Sequence, residues 1–231
     1  MGTLGSTATV IDLASTSLRD LNQALHQAPA GSSWVVKNPE GAHAIAVGLD
    51  QAIDVLVEGH VGYFAAGMNE QATVTITGNA GQGVAENMMS GRVHVKGSAS
   101  QSAGATAHGG LLIIDGDATA RCGISMKGAD IVVGGSVGHM SAFMAQAGRL
   151  VICGDAGDGL GDSIYEARLY VKGQVSSLGA DCIEKEMRPE HLTELAELLA
   201  LAGRPEQPGE FRRYGSARQL YNFHIDNVDA Y

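Results

Sequence analysis

Between Asp54 and Met187 the apolar and polar positions repeat every 19 residues. One glycine marks each of seven copies: Gly59, Gly78, Gly97, Gly116, Gly135, Gly154 and Gly173. Two residues earlier stands a β-branched residue (Val57, Ile76, Val95, Ile114, Val133, Ile152, Val171). Four earlier stands an aliphatic one (Val55, Val74, Val93, Leu112, Ile131, Leu150, Leu169), and two later always Ala or Val. Apolar side chains two apart share one face of a short strand. A repeat this short cannot enclose a core alone, so its copies must stack. The pattern predicts an all-β chain: a single-stranded right-handed parallel β-helix, its rod on the order of 30 Å long at ~4.8 Å per coil. The marker glycine is expected to permit a bend that a Cβ would hinder.

The flanks are irregular. Thr9–Leu13 reads as a short strand. Ser17-x-x-Asp20 resembles a capping box, and Leu18, Leu21 and Leu25 fall on one helical face up to Pro29 and Gly31. This helix is expected to lid the open end of the coil stack, where strand edges are unpaired. Trp34–Lys37 and Ala44–Gly48 read as strands of irregular first coils, joined by the turn Asn38-Pro39-Glu40-Gly41. After the repeats, Pro189 opens an amphipathic helix carrying Leu192, Leu195, Leu198 and Leu199, with Gly203 beyond it. Three parts follow: residues 1–34 as capping segment, 35–188 as β-helix, and 189–231 as C-terminal helix and arm.

The outward column, three before each glycine, reads Leu56, Thr75, His94, Ile113, Val132, Val151 and Tyr170. It is too apolar for a bare sheet, so the terminal arm or another subunit is expected to cover it. The closing segment concentrates Phe211, Arg212, Arg213, Tyr214, Arg218, Tyr221 and Phe223. Aromatic residues mixed with arginine are hot-spot composition, which makes these seven docking candidates. A tail folded back over its own sheet would bury the same aromatics.

Composition narrows the function. The net charge of −10 repels phosphate backbones and argues against nucleic acid. No apolar run reaches the ~20 residues of a membrane span, and no signal peptide is visible at the N-terminus. Three scattered cysteines, Cys122, Cys153 and Cys182, suit a reducing cytoplasm and thiols used as small core residues. Gly81-Gln-Gly83-Val-Ala-Glu86 has glutamate where a dinucleotide loop needs its third glycine, and no helix follows. His60, His94, His108 and His139 sit at different repeat phases, as do the cysteines, so no metal-ligand ladder forms. Asp155, Asp158 and Asp162 share one corner and read as a solvated turn rather than a calcium site. There is no Gly-x-Ser-x-Gly elbow. Six beyond the β-branched column the residues are mostly polar, from Tyr63 and Gln82 to Asp158 and Ser177, which rules out a hexapeptide-type left-handed helix. No catalytic, metal-ligating or cofactor-binding residue is expected in this chain.

The 19-residue coils carrying Val-x-Val-x-Gly, with corners such as Gly78-Asn-Ala-Gly-Gln-Gly83 and Gly154-Asp-Ala-Gly-Asp-Gly159, resemble the GXGXG domain. That domain is the C-terminal β-helix of the glutamate synthase large subunit. The likeness covers about residues 35–190. The free-standing form, with its closing segment at 211–223, is similar to the domain-3-like subunit of three-part sets such as N-methylglutamate synthase. The resemblance implies a scaffold without catalytic residues. An amidotransferase-like partner and an FMN- and iron–sulfur-containing partner would carry the chemistry, converting glutamate and methylamine into N-methylglutamate and ammonia. Related glutamate-synthase-like or formylmethanofuran-dehydrogenase-like complexes are the alternative within this likeness. A stand-alone carbohydrate-binding β-helix is the alternative outside it.

Overall fold

A computed structural model describes residues 8–217. Eleven strands form one sheet. They are β1 (Thr9–Asp12), β2 (Ser33–Lys37), β3 (Asp54–Glu58), β4 (Thr73–Ile76), β5 (Arg92–Val95), β6 (Leu111–Ile114), β7 (Lys127–Val133), β8 (Ala147–Ile152), β9 (Arg168–Val171), β10 (Cys182–Lys185) and β11 (Arg212–Ser216). β1 to β9 stack in parallel, in sequence order. Register follows the repeat: Val55 faces Val74, Val74 faces Val93, and the column runs on to Leu169. The chain is a parallel β-solenoid, as its periodicity predicts. The inward columns at Val55 and Val57 and their equivalents are buried in every coil. A second, one-residue-wide ladder joins Val61, Ala80, Ala99, Ala118, Val137, Ala156 and Val175.

Two helices flank the stack. α1 (Leu18–His26) begins as expected: Ser17 Oγ accepts the Asp20 N–H at 3.1 Å. Leu21 and Leu25 close the first coil. α2 (Pro189–Leu201) lies across the outward face, burying Ile113, Val132, Val151 and Tyr170 beneath Leu195, Leu198, Leu199 and Ala202. The apolar outward column is thus covered over its last four coils by this chain's own helix. Leu56, Thr75 and His94 stay partly exposed. Beyond α2 the chain reverses: β11 inserts antiparallel between β9 and β10.

Ala44–Gly48 is not a strand. Ala44, Ala46 and Gly48 take left-handed backbone conformations at alternate positions. The same alternation recurs in the first six of the seven repeat coils, at Phe64/Ala66/Met68, Gly83/Ala85/Asn87, Ser102/Gly104/Thr106, Arg121/Gly123/Ser125, Met140/Ala142/Met144 and Gly159/Gly161/Ser163. Alternating hand turns successive N–H groups toward opposite neighbours. Phe64 donates to Gln82 in the next coil at 2.8 Å, and Ala66 to Ile45 in the previous one at 2.9 Å. A non-glycine residue there costs about 1 kcal/mol, which the inter-coil bonds offset. The segment reads as a strand in the sequence, but its period-two alternation comes from backbone hand, not from pleat.

Candidate docking surfaces

The seven marker glycines form a hydrogen-bonded column. From Gly78 onward each N–H donates to the glycine one coil earlier, at 3.0 Å from Gly78 to Gly59 and at 3.0 Å from Gly173 to Gly154, while the Gly59 N–H donates to Thr77 Oγ1 at 2.9 Å. Each glycine lies at the expected bend, and what excludes a Cβ there is mostly not backbone hand. Only Gly59 has a left-handed φ, at 139°. The others are required by close approach: a Cβ on Gly78 would lie 2.6 Å from the Gly59 carbonyl, and one on Gly135 would lie 2.1 Å from Asp117 Oδ1. Beside this column runs a polar one that the repeat analysis missed. His60, Asn79, Ser98, Asp117, Ser136 and Asp155 each accept, through the side chain, the backbone N–H nineteen residues later. The legible signal was an unbroken run of acceptor side chains one position after each glycine.

The tail candidates separate. Phe211 is buried in the cluster under α2, and Tyr214 in the main core. Arg212 donates to the Gly173 carbonyl at 2.9 Å and lies 5.9 Å from the Tyr214 ring. Arg213 donates to the Glu186 carbonyl at 3.0 Å. These four residues are therefore held within this chain's own sheet. Arg218, Tyr221 and Phe223 lie outside the described residues.

Glu194 fastens α2 to the sheet. It receives Tyr170 Oη and Arg168 Nη1, while Arg149 approaches at 3.8 Å and forks onto Asp130 at 2.6 and 2.5 Å. Asp130, Arg149, Arg168 and Glu194 line a shallow pocket of about 370 Å³ with Gly128, Gly148 and Glu166. Burial raises the Tyr170 hydroxyl well above its ordinary range, reinforced by Glu194. Arg168 and Tyr170 thus tie the sheet to the helix's Glu194, while the Arg149–Asp130 pair links neighbouring strands. At the helix exit, Arg204 pairs with Glu206 at 2.7 Å.

Cys122 and Cys182 are buried and Cys153 is partly buried. Burial pushes Cys122 up to about 12 and both Cys153 and Cys182 up to about 11, which leaves them protonated at neutral pH. The aspartates of the 155–162 corner are occupied in coil contacts. Asp155 accepts from Gln174 N–H at 2.7 Å, Asp158 from Ser177 Oγ at 3.2 Å, and Asp162 from Ala180 N–H at 3.0 Å. Among the described residues, no group of three or more His, Cys, Asp or Glu is placed to hold a metal. Within the same residues, no helix is long and apolar enough to cross a membrane.

Exposed apolar side chains gather on the left-handed side. Tyr63 is 50% exposed, Phe64 42%, Met68 52% and Met144 42%. Tyr63 stacks on His43, ring centroids 4.4 Å apart. These surfaces escaped the sequence analysis, although aromatic and methionine side chains in columns of Gly, Ser and Asn were visible there.

No protein-family model matches the chain. Protein GlxC of Rhizobium meliloti (strain 1021) is 65% identical over 226 residues, covering 96% of this chain and 99% of that protein. The chain belongs to the GlxC family. Identity at that level across nearly both full lengths extends the whole arrangement, cap, solenoid and α2, to the GlxC relative.

Proposed function

We propose that this GlxC-family chain is the scaffold subunit of a glutamate-synthase-like flavoenzyme complex. The 19-residue ladder with its Gly-Asn-Ala-Gly-Gln-Gly corners carries the reading, because those features together resemble the GXGXG domain. Each coil is bonded to the next at the sheet, at the glycine column and at the left-handed segment. A rod bonded on every side holds what it carries at fixed separation. An amidotransferase-like subunit would handle the amide or amine, and a subunit with FMN and iron–sulfur clusters the carbon acceptor. N-methylglutamate formation from glutamate and methylamine is the favoured net reaction.

Purification of the tagged chain from its native source tests this. Two larger subunits should accompany it, with flavin absorbance in the complex and none on the isolated chain. A chain that is active, flavin-loaded and monomeric by itself would overturn the proposal.

A further inference from the structure

We infer that the left-handed side of the rod docks a single partner protein at two apolar points about 19 Å apart, the first beside a basic side chain of that partner. This rests on the scaffold reading and locates the surface it needs.

Phe64 and Met68 have φ of 59° and 55°, and Met140 and Met144 have φ of 56° and 52°. Both pairs occupy the same two columns: 140 − 64 and 144 − 68 each equal 76 residues, four repeats of 19. Four coils at ~4.8 Å set the clusters roughly 19 Å apart along the rod. Among the other left-handed positions the same columns hold Gly83, Ser102 and Gly159, or Asn87, Thr106, Ser125 and Ser163, with Arg121 the other long side chain; Leu178 continues the first column without left-handed backbone. Bulky residues in left-handed backbone carry strain. Phe64, Met68 and Met144 are too exposed to recover it by burial within the chain.

Both clusters have a built seat. A Cβ added to Gly83 would lie 2.7 Å from the Phe64 ring, and one on Gly159 would lie 2.7 Å from the Met140 sulfur. Each bulky side chain thus rests over a glycine one coil later and is held outward. Glu86 Oε2 lies 2.8 Å from that same point above Gly83. Neither Glu86 nor Glu70 forms an ion pair among the described residues. Apolar anchors beside unneutralised carboxylates fit a surface that presents lysine or arginine next to an apolar contact. A second copy of this chain, with net charge −10, would set acid against acid.

The test uses the full chain in its native source. A photo-reactive phenylalanine analogue at position 64 or 144 should cross-link to one and the same polypeptide. Phe64→Gly and Glu86→Lys should each lower recovery of that polypeptide by at least about tenfold, the loss typical of a hot spot. The melting temperature should hold, or rise for Phe64→Gly, because glycine relieves the left-handed strain. Cross-links to a second copy, or to two different polypeptides, would overturn the inference. So would full recovery of the co-purifying subunits by Phe64→Gly, although the scaffold reading would then stand. A wild-type chain that purifies without larger subunits removes the scaffold reading and the docking surface together.

Discussion

Asn22 stands in for a missing coil beneath Ala46. Its Oδ1 accepts the Ala46 N–H at 2.9 Å and its Nδ2 donates to the Ala44 carbonyl at 2.8 Å. In the next coil the Ala66 N–H finds its acceptor in the Ile45 carbonyl, 2.9 Å away. One helical side chain thus supplies the acceptor a preceding coil would give the Ala46 N–H, and a donor to the Ala44 carbonyl besides. Asn22→Leu removes both at a partly buried end and should cost about 1–3 kcal/mol. Chemical denaturation measures this, and hydrogen exchange at Ala46 should accelerate. Unchanged exchange there would show the cap to be idle.

The glycine column makes a prediction that distinguishes close approach from backbone freedom. Gly135→Ala forces a Cβ against Asp117 Oδ1 and, at 2.9 Å, the Gly116 carbonyl. It should destabilise by about 1–3 kcal/mol. Gly209→Ala meets nothing within 4 Å and should fall within about 0.5 kcal/mol of wild type. Equal effects at both positions would contradict the stacking argument.

Thiol reactivity follows from burial. With Cys122 at about 12 and the other two at about 11, roughly one thiol in a thousand or fewer is ionised at pH 8. Thiol-specific reagents should label the folded chain far more slowly than the denatured one. Rapid labelling of the native protein at that pH would refute the assignment.

Acid should weaken the hold of the C-terminal region. Arg204 holds the Glu206 carboxyl below its ordinary value of 4.5. A depressed carboxyl stabilises fully above that ordinary value and loses its contribution as pH falls through the folded one. Melting temperature should therefore decline below about pH 4.5. Glu206→Gln should lower the neutral-pH value and flatten that limb. An acid limb identical in the variant would assign the decline to other carboxylates.

The periodic residues by themselves dictated the solenoid. Side chains two apart at Val55 and Val57 must share a face, and a 19-residue recurrence leaves each coil only its neighbours as a core. The Ser17 cap, the helix from Pro189 and the covered outward face were legible for the same local reasons. Where the tail goes was not, since a strand carrying Arg212, Arg213 and Tyr214 suits a partner's sheet as well as its own. Only the assembled edge of β9 selected the cis pairing. The left-handed segments were hidden because alternate hand is stabilised by bonds to the coils above and below, which exist only once the stack forms. The same holds for the glycines. Their bend was legible and is present, but only tertiary stacking decided that the neighbouring coil's backbone, lying directly against them, is what excludes a Cβ.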